Sequence, residues 1–394
     1  MIYLDNSSTT RQYDQVTDLM ADIARNHFGN PSSLHELGFD GSEILRKAAS
    51  QLGSCFPTGG KVVITSCGTE SDNMALMSGT RKLRRRGNKV IITAVEHPAV
   101  IQTAMRLRED GWDVAEIGVD KNGVADLDQL RDELDENTVL VSMMTVNNET
   151  GAIQPVKDAC AMTRAFAEKH GQKILFHTDA VQAFGKIDLR REDFDLISIS
   201  GHKFHGPKGI GALYIKKGID IPPFITGGGQ ERGLRSGTEN VPGIAGMGLA
   251  AEMSCGELEE NNKKLSELNE YLYNGLSTEI KDIRLNGPSV TGTTLDEPGK
   301  RCPSVLNISF EGVRGEVILH TLEQDQIFVS TGSACHSNNA GDSHVLTAMG
   351  RSHKEIEGAV RFSFSQFNTI QEMDVVIRKT AEAVERFRRL GSFR

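Results

Sequence analysis

The stretch Ser198–Tyr214 reads SISGHKFHGPKGIGALY. A short apolar run opens it and another closes it, so a strand, a glycine-rich turn and a second apolar run are expected. Between the runs stand His202, Lys203, His205 and Lys208, crowded among glycines. A His-x-x-His pair interrupted by lysine suits a metal poorly. A lysine held at a strand end beside other cations suits Schiff-base chemistry better. Which reading holds depends on what the rest of the sheet brings to the same edge.

Working outward, Lys61–Thr65 (KVVIT), Lys89–Thr93 (KVIIT), Thr138–Met144 (TVLVSMM), Lys173–Asp179 (KILFHTD) and Leu196–Ser200 (LISIS) read as buried strands. Amphipathic segments such as Val156–His170 separate them. That alternation predicts an α/β fold with a mostly parallel sheet wrapped by helices. After about Cys255 the texture changes. A long polar helix, ELEENNKKLSELNEYLYNGL, leads to a region whose clearest strands are Val305–Phe310 and Ala359–Ser365, and Thr369–Leu390 reads as a final amphipathic helix.

With 394 residues the chain exceeds what one ordinary core serves. Charged residues make up 25% and hydrophobic ones 38%, as in soluble globular proteins. The net charge of -9 is spread without long blocks, which argues against nucleic acid as the main partner. The densest basic run, RKLRRRGNK at Arg81–Lys89, is better read as a solvated helix end. The start, MIYLDNSSTT, has neither a basic segment nor an apolar core, so no signal peptide is expected. No apolar run is long enough to span a membrane. Cys55, Cys67, Cys160, Cys255, Cys302 and Cys335 are scattered without CxxC spacing. Neither a structural zinc site nor a disulfide framework is expected, and free thiols fit a reducing cytoplasm.

In open parallel sheets, ligands gather beyond the carboxyl ends of strands. Here those ends run into SCGTESDN, AVEHPAV, TVNNETG, AVQAFGK and GHKFHGPKG, all rich in polar or ionisable groups. In the first, Gly68 permits close backbone approach, Thr69 adds a hydroxyl, and a helix N-terminus offers N–H groups. A plain N-cap by Ser66 or Thr69 fits the same residues. Asp179 closes a buried strand and needs a partner there, either a protonated heterocycle or a helix N-terminus. His97 precedes a helix at the same edge. Together a phosphate cup, a strand-end carboxylate, a histidine and a lysine suit pyridoxal 5'-phosphate. Cys335 lies in STGSACHSNNAGDS beside His336, the setting of a candidate nucleophile. A non-catalytic phosphate- or metal-binding module is the distant alternative.

The series YLDNSSTT, FGNPSSLHELG, TSCGTESDN, EHPAV, VNNETG, TDAVQA, SGHKFHGPKGIGALY, GGGQERGLRSGTEN and STGSACHS resembles, in order and over nearly the whole chain, the signatures of cysteine desulfurases. These are fold-type I pyridoxal-phosphate enzymes of the class V aminotransferase group. The resemblance implies a large domain at 14–257 with a mostly parallel seven-stranded sheet flanked by helices. It implies a smaller α+β domain made of 1–13 and 258–394, carrying the cysteine loop at about 330–343. Lys203 then matches the Schiff-base lysine and Lys208 a non-catalytic neighbour. Asp179 and Gln182 match the groups on the ring nitrogen and ring hydroxyl, and His97 the histidine stacked on the ring. Gly68, Thr69, Ser200 and His202 match phosphate-site positions. Thr238 matches a phosphate contact given across a homodimer interface. Asn148 and Arg361 match residues that bind the substrate carboxylate, a role an arginine fork suits. Cys335 matches the sulfur acceptor. No metal ligand is implied.

The implied activity removes sulfur from L-cysteine, leaving L-alanine and a Cys335 persulfide passed to an acceptor in the cytoplasm. Selenocysteine lyase or another class V enzyme is the alternative; a transaminase would not need Cys335. Departures exist. Cys67-Gly68 replaces the usual Gly-Ala, and Ser8 the usual alanine. After Cys335 the chain reads NNAGDSHVL instead of continuing into a Leu-Glu-Pro-Ser stretch, and RLGSFR lacks an aromatic tail. Both features weaken assignment to general iron–sulfur cluster assembly and leave a tRNA-thiolating enzyme beside an iron–sulfur scaffold as the acceptor.

Overall fold

The apolar runs become strands because both faces of the sheet they form are covered. The structure, a computed structural model, describes residues 1–291, 297, 299–331 and 342–391. In chain order the strands are β1 (Ile2–Tyr3), β2 (Lys61–Thr65), β3 (Lys89–Thr93), β4 (Asp113–Ile117), β5 (Thr138–Ser142) and β6 (Leu175–Asp179). Then follow β7 (Leu196–Ser200), β8 (Gly211–Ile215), β9 (Ile283–Asn286), β10 (Val305–Phe310), β11 (Ile327–Phe328) and β12 (Ala359–Ser363). The helices are α1 (Asp14–Asn26), α2 (Glu36–Gly53), α3 (Gly68–Leu83), α4 (Pro98–Glu109), α5 (Leu127–Glu133) and α6 (Val156–His170). After them come α7 (Val241–Gly256), α8 (Leu258–Glu279), α9 (Gly315–Gln324), α10 (His344–Ala348), α11 (His353–Glu357) and α12 (Ile370–Leu390).

A seven-stranded sheet runs in the order β2-β8-β7-β6-β5-β3-β4. Its pairings are parallel except those of β8, which lies antiparallel to both β2 and β7. Successive side chains divide between two apolar layers, as strand geometry requires. Leu140 and Leu196 join Met74 and Val100 on one face, while Val141 and Ile197 join Phe176 and Met247 on the other. This two-sided burial is why the runs read as continuously apolar.

A second apolar core gathers Leu265, Leu272 and Leu276 of α8, Ile308 of β10, Phe362 of β12 and Val376 of α12. Its sheet, β12-β10-β9, is antiparallel. Leu4 is buried in this core, and β1 pairs with β11, so the N-terminus packs with the C-terminal part of the chain. The Asn6 amide donates to the Ser363 carbonyl at 2.9 Å and pins residues 5–8 across the mouth of the large sheet.

The sequence reading did not single out β4, β8 or β9 as strands. Asp113 and Glu116 interrupt β4, an edge strand with an exposed side, and Arg284 does the same in β9. Among the described residues no helix is long and apolar enough to cross a membrane. The basic run behaves as expected: Arg81 and Lys82 stand in the last turn of α3.

Candidate active site

The five strand tips converge on one cleft of about 250 Å³. Gly68, Thr69, His97, Asn148, Asp179, Gln182, Ser200, His202, Lys203 and Arg361 all line it. Thr238 does not; it is exposed and borders a neighbouring pocket with Ser66 and Arg235. Cys335 lies outside the described residues.

Lys203 leaves β7 through a single 3-10 turn, Gly201–Lys203. The turn is tight because its backbones touch: a Cβ on Gly201 would lie 2.9 Å from the Pro207 carbonyl oxygen. Lys203 Nζ donates to the carbonyls of Ser7 at 2.5 Å and Ser8 at 2.8 Å. The N-terminal strap therefore aims this amine, a contact unreadable from local sequence. Lys208 is exposed beyond the turn.

At the phosphate end, the residue flanking α3 is Cys67, not Ser66 or Thr69, and it makes no side-chain cap. The first N–H groups of α3 are left to a ligand, with the dipole favouring an anion. Ser200 Oγ is buried there without a hydrogen-bond partner among the described residues. Burial, with the charges of Lys203 and Lys208 adding to it, pushes the His202 pKa down to about 4.

At the far end Asp179 is buried, and desolvation raises its pKa to about 6, against the Val181 N–H and the Lys203 charge, which lower it. Gln182 Nε2 donates to the Ser7 carbonyl at 3.0 Å, while its Oε1 is buried without a partner among the described residues. An acceptor so placed fits a hydroxyl donor. His97 Nδ1 accepts from the Ala99 N–H at 3.1 Å as the N-cap of α4. Its pKa is pushed down to about 4, first by burial and then by Lys203. The neutral ring therefore carries its proton on Nε2.

Asp72 is a site residue the sequence reading missed. It is buried in the first turns of α3, and desolvation, with the Asp179 charge adding to it, raises its pKa well above the usual range. Asp72, His97 and Asp179 each bring a possible ligand atom within 4.8 Å of the others. No metal is assigned there; the space fits a cationic aromatic ring, whose charge the Asp179 carboxylate would meet. Orphaned acceptors, an uncapped helix end and a primary amine thus match the polar groups of pyridoxal 5'-phosphate one by one.

Arg361 closes the mouth from β12. It is 3% exposed and ion-paired to Asp5 at 3.0 Å, and its Nη1 donates to the Asn148 carbonyl at 3.0 Å. The Asn148 loop is held by its neighbour: Asn147 Oδ1 accepts from the N–H groups of Glu149 and Thr150. Asp5, Ser7 and Asn147 escaped the sequence reading because each acts through main-chain partners or at long range.

Comparison with known proteins bears on the family and the fold. The aminotransferase class-V family profile matches residues 2–376. A cysteine desulfurase IscS of Methanosarcina thermophila is 40% identical over 396 residues, covering 99% of this chain and 93% of the relative. A solved structure of a NifS-like protein superposes with a TM-score of 0.87 at 38% identity, over 98% of this chain and 99% of that one. A structure titled SspA in complex with cysteine gives a TM-score of 0.77 at 29% identity, over 94% of this chain and all of that one (100%).

Proposed function

We propose, from the premise that this chain belongs to the aminotransferase class-V family and is a cysteine desulfurase, that the cleft works on L-cysteine through Lys203, Asp179, His97 and Arg361, with Cys335 taking the sulfur. The observation that carries these roles is the convergence of Lys203, the buried Asp179, the uncapped α3 and Arg361 on one cleft. Enzymes of this family depend on pyridoxal 5'-phosphate, which when bound supplies an aldehyde for amines and a sink for electrons from the substrate Cα. Gly68, Thr69, Ser200 and His202 would hold its phosphate, Asp179 its ring nitrogen and Gln182 its ring hydroxyl.

The remaining steps belong to the protein. Arg361 and Asn148 seat the substrate carboxylate, which sets Cα within reach of Lys203 Nζ. Lys203 moves the Cα proton, and His97, which lines the same cleft, donates its Nε2–H to the reacting groups. The Cys335 thiolate then attacks the substrate sulfur. An S–S bond forms, the C–S bond breaks, and the carbon left behind takes a proton to become alanine. The large domain at 14–257 bears the anchoring groups and the small one the acceptor loop. The product is a Cys335 persulfide for a cytoplasmic acceptor protein, a tRNA-thiolating enzyme or an iron–sulfur scaffold.

The test is Cys335→Ala in the holoenzyme. Sulfide release from L-cysteine should vanish while the absorbance change on adding cysteine persists. Undiminished release would overturn the persulfide route.

A further inference from the structure

Ser8, singled out in the sequence as a departure, makes bonds that the steps above leave unused. Its hydroxyl donates to Asp5 Oδ1 at 2.7 Å and accepts from Arg361 Nη2 at 2.8 Å. Asp5 Oδ1 accepts from the same Nη2 at 3.0 Å. Arg361 Nη1 is turned to the Asn148 carbonyl, and Nε is buried with no hydrogen-bond partner among the described residues. Nε and Nη2 lie on one edge of the guanidinium, the edge that offers a carboxylate two parallel N–H groups. Among the described residues half of that fork is open, and the other half is held by two oxygens, one neutral and one charged.

The neutral one is the adaptable one. A serine hydroxyl keeps its acceptor lone pairs while its hydrogen rotates to a new partner. Asp5 tolerates the loss of that hydrogen bond, because it stays paired to Arg361 and its side chain is 23% exposed to water. The Ser8 carbonyl also accepts from Lys203 Nζ. One residue therefore touches both the arginine that receives the carboxylate and the amine that works on the adjoining Cα.

We propose that Ser8 is a substrate-positioning residue: its hydroxyl holds the Arg361 fork in register and turns its hydrogen from Asp5 to the carboxylate of bound L-cysteine. The proposal rests on the assignment of Arg361 to that carboxylate, and the test separates the two. Holoenzyme variants Ser8→Ala, Ser8→Thr and Arg361→Gln are compared. Steady-state sulfide release gives KM and kcat for L-cysteine. The cofactor's absorbance change gives dissociation constants for L-cysteine and for cysteamine, which lacks the carboxylate.

Ser8→Ala should raise KM and the dissociation constant for L-cysteine about 10- to 100-fold, the effect of one hydrogen bond to a charged group, with kcat within about threefold. Cysteamine binding should not move, and Ser8→Thr should recover most of the loss. An unchanged or lowered KM, or an equal loss for cysteamine, overturns the role of Ser8. Arg361→Gln should weaken L-cysteine far more than Ser8→Ala. If it does not, the carboxylate assignment fails and the Ser8 proposal falls with it.

Discussion

His202 and His205 stand three residues apart in one turn and do unrelated work. His202 faces the cleft, whereas His205 is buried with a φ of 64°, its Nδ1–H donating to the Arg11 carbonyl and its ring 4.7 Å from Tyr13. Its partners lie almost 200 positions away, so no local pattern could separate the two. Asp179 was legible because a carboxylate ending an apolar strand has few explanations. Its raised pKa gives a prediction. Between about 3.9, the unfolded value, and about 6, the native apo-protein binds more protons than the unfolded chain, so this group's contribution to stability falls as pH rises through that window. A cation at the ring nitrogen reverses the preference by favouring the carboxylate. Melting curves should show a larger stabilisation by pyridoxal 5'-phosphate at pH 7 than at pH 4.5. Asp179→Asn should flatten that difference and cut sulfide release by about 100-fold.

At the scale of elements, the strands and their polar tips were readable because burial on two faces leaves no ambiguity in an apolar run. The cup at α3 was readable only in part. The residues allowed a capped helix or an anion site, and what decides is that Cys67 is extended and makes no cap. That geometry depends on a neighbour in another element. A Cβ on Gly211, the first residue of β8, would lie 2.6 Å from the Cys67 carbonyl carbon and 2.8 Å from the Ile199 oxygen. Both are main-chain atoms and cannot swing aside. Gly211→Ala should therefore push α3 away from β7, costing about 1–3 kcal/mol as overpacking. It should also weaken cofactor retention, read by dialysis and absorbance. A variant that keeps both wild-type stability and cofactor would show that the cup does not depend on this contact.

At the scale of the molecule, Thr238 is the residue that one chain does not explain. Every other described cofactor position lines the cleft, while Thr238 is exposed on a segment tied to α3 by the Arg235–Glu70 ion pair at 2.8 Å. Phe28, Leu34 and Phe39 are also exposed, as expected of a surface that a partner covers. Both facts support a homodimer in which Thr238 serves the other subunit's phosphate. Complementation tests it. Lys203→Ala lacks the reacting amine, and Thr238→Asp sets a carboxylate against a phosphate, so each should be nearly inactive alone. Random exchange of equal amounts makes half the dimers mixed, and in each of these one site has both residues intact if Thr238 acts across the interface. About a quarter of wild-type activity should return. If Thr238 acts within its own chain, every site carries one defect and mixing restores nothing.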